Sequence, residues 1–372
     1  MPFYIKILKT INKILIIIQR SNGDVFFSQT LIESLYQNYK NPKIDLLVND
    51  DTKATANLIP NINFINTFSY DQKKKNRWKQ EKILVSSIFM KYDLSISLTA
   101  SDRSVIYSLL ASNISISAIE KNSKKSWWKK LLLSHYYYFD NNKHIHLNNL
   151  ESLNLLKINH TNNQASPQIS DACISKVKNK LTTKSIKDFI IFHPSAQYEY
   201  KIYPKHLRNE LLAELNSLNI PIIITGGKSE IDMEIKKCLP VLENLTDFIG
   251  ETSLQEYVAL SQLSSAYIGM DTLNMHIAAA QNKRIFAIYG PTKLSMWSPW
   301  SNYSEISANE NIPLQTYDRV TVFQAEMACV ACGMAGCDDS HGRSECLYRI
   351  NPTVIFSQIK QWSKCLDVEE SL

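Results

Sequence analysis

Glycine is scarce in this chain, nine in 372 residues, so each is expected where a positive φ or a close backbone approach demands it. Long apolar runs are missing. The longest aliphatic one, Ile14–Ile18, has five residues, far short of the roughly 20 a membrane-spanning helix needs. It is also too short and wrongly flanked for a signal-peptide core, so the chain is expected not to cross a membrane. There is no low-complexity segment and no short-period repeat. The first apolar run is followed by Arg20-Ser21-Asn22-Gly23-Asp24, not by a Gly-x-Gly-x-x-Gly fingerprint, which argues against a nicotinamide-dependent oxidoreductase. Hydrophobic residues at 44% and charged residues at 20% exclude wholesale disorder. Seven cysteines, an odd number, without an export signal point to a reduced, cytoplasmic protein.

What is present is a rhythm of short strands and helices. At 372 residues the chain exceeds what one core usually organises, so two domains are expected. Apolar runs at Lys13–Ile18, Ile44–Val48, Asp93–Leu98 and Ile114–Ile119 alternate with helical spacing over Val25–Tyr39 and Trp78–Met90. Runs that are continuous rather than alternating suit buried parallel strands. Asn159–Ser170, reading NHTNNQASPQIS, has the composition of a linker. After it the rhythm restarts, with strands at Phe189–His193, Ile220–Thr225, before Gly250, at Ala266–Met270 and at Arg284–Tyr289. Helices are expected at Pro204–Leu218, from Ser229, from the capping box Ser253-Leu254-Gln255-Glu256 to Leu263, at Thr272–Ala280 and at Pro352–Lys364. The expected fold is α/β: two Rossmann-like doubly wound domains, residues 1–165 and 166–350, facing across a cleft. Residues 351–372 are expected to form a helix free to pack back toward the first domain.

Three strand-end junctions carry candidate chemistry. In the first, Gly23 allows a tight turn and Asp24 opens the next helix; that carboxylate is either an N-terminal cap or a general base. The second is His193-Pro194-Ser195-Ala196 followed by Lys201-Ile202-Tyr203-Pro204, where Lys201 could neutralise a phosphate. The third is Gly269-Met270-Asp271-Thr272, opening a helix rich in small residues. Its first N–H groups make a ready anion site. His276, one turn beyond Thr272, is either aimed at the same ligand or a satisfied core histidine.

Asp-Thr-x-x-x-His-x-Ala-Ala-Ala, with Tyr289-Gly290-Pro291-Thr292 after it, resembles the signature of glycosyltransferase family 9, the heptosyltransferases. The likeness continues in Gly23-Asp24-Val25, in the His193 to Pro204 segment, in Thr225-Gly226-Gly227 with Glu230, and in Gly250 to Leu254. The resemblance implies a GT-B fold and an inverting transfer of heptose from ADP-heptose to the lipopolysaccharide inner core, at the cytoplasmic face of the inner membrane. By the same resemblance Asp24 is the base, Lys201 faces the donor diphosphate, Glu230 the ribose, and Asp271 the heptose hydroxyls. Thr272 and the helix start hold phosphate, and Ser195, Gly226, Leu273 and His276 belong to the donor site. Leu273 stands where the family carries glycine, and its side chain narrows that pocket. A hexose or N-acetylhexosamine donor is the alternative within the class, and a non-catalytic relative that binds anionic lipid is the alternative outside it.

No Asp-x-Asp pair occurs. With that metal clamp missing, a lysine and a helix start are expected to stabilise the leaving diphosphate, and no metal or other cofactor is expected. Cys329, Cys332, Cys337 and Cys346, spaced Cys-x2-Cys-x4-Cys-x8-Cys, form either a structural loop with free thiols or a structural zinc site. The net charge of +6 is concentrated in two knots. One is Lys73, Lys74, Lys75, Arg77 and Lys79 with Trp78; the other is Lys121, Lys124, Lys125, Lys129 and Lys130 with Trp127 and Trp128. They are either solvated helix faces or a surface for an acidic acceptor and an anionic membrane. Nucleic acid is not an expected partner. Ser126–Phe139 is the candidate surface-lying helix.

Overall fold

The computed structural model describes residues 11–121, 124–161 and 167–369. The chain divides into two compact units, residues 1–168 and 169–372; within the expected linker, residues 162–166 lie outside the described ones.

The first unit is built on six strands: β1 (Lys13–Ile18), β2 (Lys43–Asn49), β3 (Ile62–Phe68), β4 (Leu94–Ser97), β5 (Ser115–Ile119) and β6 (His135–Tyr138). They form one parallel sheet in the order β3-β2-β1-β4-β5-β6. Ile14 and Ile16 of β1 pair with Ile44 and Leu46 on one side and with Leu94 and Ile96 on the other. Ile14, Ile16 and Ile18 enter one core, while Leu15 and Ile17 enter another with Leu84, Ile88 and Tyr107. Both faces of β1 are covered, which is why its sequence is continuously apolar.

The second unit repeats the plan with β7 (Ile190–His193), β8 (Ile222–Ile224), β9 (Leu245–Asp247), β10 (Ala266–Met270), β11 (Arg284–Ile288), β12 (Leu314–Tyr317) and β13 (Val320–Phe323). Their order is β12-β13-β11-β10-β7-β8-β9, parallel throughout except for the β12–β13 hairpin. In each unit the chain reverses its direction of travel across the sheet at the first strand, between β1 and β4 and between β7 and β10. Such a switch point opens a crevice at the carboxyl ends of the strands.

Several elements differ from expectation for local reasons. Val25–Tyr39 is two helices, Asn22–Phe26 and Gln29–Asn38. The Ser28 amide and hydroxyl both donate to Val25 O, which closes the first helix, and Phe27 packs edge-on against His144. The expected surface helix over Ser126–Phe139 is only Trp127–Leu132; the tyrosines beyond it form β6, with Tyr137 buried. A run of tyrosines fits a pleated, half-buried surface better than a helix. β3 and β12 escape the apolar pattern because they are sheet edges with exposed positions at Phe64 and Leu314. The C-terminal helix, Pro352–Glu369, lies in the second unit. Its Ile355 and Ile359, one turn apart, are buried in that unit's core, and Trp362 meets the Phe286 ring edge-on at 5.7 Å.

Candidate functional site

The second unit's switch point brings three of the expected residues together. Lys201 ends the short turn Glu199–Lys201 after β7, and Asp271 directly follows β10. Lys201 Nζ lies 3.2 Å from Asp271 Oδ2, a pair closed across 70 residues of sequence by neighbouring strand ends. Burial works against the ammonium, but the Asp271 carboxylate outweighs it and holds Lys201 above the ordinary lysine range. The other Asp271 oxygen is 3.9 Å from His276 Nε2. Burial, with Lys201 acting in the same direction, pushes His276 down to about 4 against the pull of Asp271, so at neutral pH this imidazole carries no charge. His276 is a buried residue of the helix, and its ring faces the Asp271 carboxylate.

Thr272 is the N-cap of the helix Leu273–Ala280, in extended geometry (φ −145°, ψ 170°), and no side chain caps the first turn. The exposed end of the helix dipole therefore stands beside Lys201, a pairing suited to an anion. Leu273, the first helical residue, is half-buried at that tip.

The backbone beneath is tightly fixed. A Cβ on Gly269 would sit 2.3 Å from His193 O, so glycine alone lets β7 and β10 approach this closely. His193 is buried, with Nδ1 2.9 Å from Thr225 Oγ1 and Nε2 3.2 Å from Asn274 Nδ2, tying both flanking strands to the helix start. Burial brings it down to about 4.

Ser195, Gly226 and Glu230 sit on the β8 side of the crevice, where Asp232, not anticipated from the sequence, binds Ser195 and the Gly226–Gly227 turn. It accepts from the Ser229 hydroxyl (2.6 Å) and amide (3.0 Å). Burial opposes the charge, but Ser195, Ser229 and the Gly227 amide hold its carboxyl below the usual range. A Cβ on Gly226 would come within 2.9 Å of Asp232 Oδ1. Glu230 opens the following helix and is exposed. The legible signal was Ser229-x-x-Asp232, a capping box. Asn274 and Tyr289 were also missed. Burial, then the charge of Asp271, keeps the Tyr289 phenol well above its usual range; nothing in its local sequence announces that neighbour.

In the first unit Asp24 follows β1 at the corresponding switch point. It does not open the helix: Ser21 is the N-cap and Asp24 the third helical residue, its Oδ2 accepting from the Ser21 hydroxyl at 2.6 Å and amide at 3.2 Å. Arg20 Nε lies 2.9 Å from Oδ1. Gly23 is helical rather than a positive-φ turn. Burial raises the Asp24 carboxyl above its ordinary value in spite of Arg20 and Ser21. The capping reading is realised, and the raised carboxyl leaves the base reading open.

The cysteines do not assemble a metal site. All seven are free, and among the described residues no group of three or more His, Cys, Asp or Glu is placed to hold an ion. Cys346 is buried in the core cluster that includes Leu347 and Ile350, with Cys332 and Cys337 near enough to act on its thiol, while Cys329, Cys332 and Cys337 are exposed. The second basic knot also loses a member: Lys129 is buried, 2.9 Å from Asp102, 3.0 Å from Glu120 and 2.6 Å from Ala100 O. In the first knot, the side chains of Lys73, Lys74 and Lys75 lie outside the described ones.

Two doubly wound units of this strand order match the GT-B fold of solved heptosyltransferases. The chain belongs to glycosyltransferase family 9 (heptosyltransferase), whose family model matches residues 87–325. It is 25% identical over 297 residues to lipopolysaccharide heptosyltransferase 3 of Escherichia coli, covering 76% of this chain and 85% of that one. It is 31% identical over 127 residues to lipooligosaccharide heptosyltransferase 2 of Haemophilus influenzae, 32% of this chain and 36% of that one. Among solved structures it resembles E. coli ADP-heptose lipopolysaccharide heptosyltransferase II (TM-score 0.70, 20% identity, 97% of this chain and 100% of that one). An iron-containing dodecameric glycosyltransferase of enterotoxigenic E. coli shares the fold more distantly (TM-score 0.51, 12% identity, 96% and 78%).

Proposed function

We propose that this enzyme transfers heptose from ADP-heptose to the lipopolysaccharide core with inversion at the anomeric carbon. The observation that carries the reading is the Lys201–Asp271 pair beside the uncapped start of the Leu273–Ala280 helix, in a chain of the heptosyltransferase family. Asp24 takes the proton of the acceptor hydroxyl as its oxygen attacks C1 of the sugar. The bond from C1 to the diphosphate oxygen breaks, and its electron pair leaves on the phosphate. Lys201 and the first-turn amides of the helix stabilise the charge that develops there. Asp271 orients the sugar hydroxyls and Glu230 the ribose. Charge stabilisation rests on these groups, so transfer is expected to persist in chelator.

No helix among the described residues is long and apolar enough to cross a membrane. Trp127, Leu131 and Leu132 are exposed beside Lys130, a combination suited to the anionic cytoplasmic surface of the inner membrane, where the acylated acceptor is anchored. One observation favours a second donor: Leu273 puts a side chain at the helix tip, which fits a hexose or N-acetylhexosamine nucleotide as the alternative.

The test is transfer with purified donors and truncated core acceptors, read by mass spectrometry. A heptose increment from ADP-heptose is expected; an increment only from a UDP- or GDP-sugar would replace the donor assignment.

A further inference from the structure

The cysteine-rich segment is not absorbed by the chemistry above, yet it reaches the same crevice. Its turn is wound tightly: Gly333, Gly336, Asp339 and His341 all have positive φ. Asp338 accepts from the amides of Ser340 (3.0 Å) and Gly342 (3.2 Å), and Asp339 from that of Ala335 (3.0 Å). The His341 amide donates to Ala335 O at 2.7 Å, and the Gly333 amide to Pro291 O, just past β11, at 2.6 Å. Three carboxylate bonds and two backbone bonds hold one conformation, in which His341 is carried onto two tyrosines.

Those tyrosines belong to the Lys201 turn. Tyr198 and Tyr200 stack at 5.3 Å with 12° between their planes, and the His341 ring meets them at 5.7 and 5.6 Å. Tyr200 immediately precedes Lys201, and Lys201, Asp271 and Asp339 all act electrostatically on its phenol. Tyr198 is 40% exposed, unusually open for a ring in a stacked cluster. An open aromatic face beside a cation–carboxylate pair suits a ligand with polarised C–H groups on a flat side and hydroxyls at its edge, because the negative ring face attracts those C–H groups. That describes a pyranose.

Strand order decides which part of a donor this is. The Gly226–Glu230 turn follows β8, on one flank of β7, whereas Pro291 and the cysteine-rich turn belong to β11 and β13, on the other flank. If the nucleoside lies on the β8 side, as the proposed function assigns it, the diphosphate at Lys201 points the sugar toward β10 and β11. On that reading we propose that Tyr198, Tyr200 and His341 form the platform on which the transferred pyranose rests, and that the cysteine-rich turn serves to hold His341 there.

The test measures binding of ADP and of ADP-heptose by calorimetry to the wild type and to Tyr198→Ala, Tyr198→Phe and His341→Asn. Asparagine tolerates the positive φ of position 341, so the turn is retained. Tyr198→Ala and His341→Asn are expected to leave ADP affinity within about twofold while reducing the advantage of ADP-heptose over ADP by about tenfold, near the upper value of an aromatic contact. Tyr198→Phe, which keeps the ring, is expected to restore it. Equal weakening of both ligands by Tyr198→Ala would place the nucleobase on this platform and overturn the proposal, as would no change in either. A wild type that binds no ADP at all would instead reject the donor assignment itself.

Discussion

The two units answer the same topological question differently. At the β1/β4 switch point, Asp24 is satisfied within its own turn: Arg20 and Ser21 are four and three residues away, and the carboxylate sits inside the first turn of its helix. At the β7/β10 switch point, Lys201 and Asp271 come from different strand ends and meet across 70 residues of sequence. The first arrangement is a local motif that folds with its helix. The second exists only once the sheet is assembled. A shared fold therefore fixes where a charged residue stands, while its immediate neighbours decide how much of its charge is met within its own turn.

The sharpest way to break this comparison is to separate the two roles of Asp24. Asp24→Asn removes the base yet retains a side-chain acceptor for Ser21. Turnover should fall by about 10²–10⁴, with stability changed by less than about 1 kcal/mol because the cap acceptor is kept. A large loss in Tm with turnover almost intact would make Asp24 structural only. Lys201→Met should lower kcat by about 10²–10³, the usual size for removing one group that stabilises developing charge. Its effect should appear in kcat more than in the acceptor KM; the opposite split would move Lys201 away from the leaving group.

The smallest effect is on acid stability, and it differs between the units. His193 and His276 in the second unit have pKa values brought to about 4 by burial, and His146 in the first is brought to about 3. A histidine depressed in the fold contributes stability that is present above its unfolded pKa of about 6.5 and is lost as pH falls toward the folded value. Asp24, raised in the fold, works the other way: its contribution is present below the ordinary carboxylate range and lost as pH rises through the folded value. Amide exchange followed from pH 7 to pH 4 should show protection falling more steeply in the second unit than in the first. Equal slopes would mean the histidines are paired through solvent and not through burial.

The parallel strands were legible because covering both sheet faces demands unbroken apolar runs; β1 and β10 match their expected bounds. The edge strands β3 and β12 were not, since exposed positions interrupt the pattern. In the site, Asp271, Thr272 and His276 could be found from their order at a strand end. Asp232 could have been, through its capping box. Tyr289, Asn274 and the Tyr198–Tyr200–His341 cluster could not, because their partners lie far away in sequence and no local spacing encodes a contact across strands.

The amino-acid order alone thus determined the two-unit α/β plan, the turns that bear the polar residues, and the glycines at Gly226, in a turn, and Gly269, inside β10. Only the tertiary structure decided that Lys201 meets Asp271 and that His341 reaches the tyrosines. Periodicity and turn chemistry act over a few residues, whereas the charge and burial felt by a side chain are set by whichever strands the sheet places beside it.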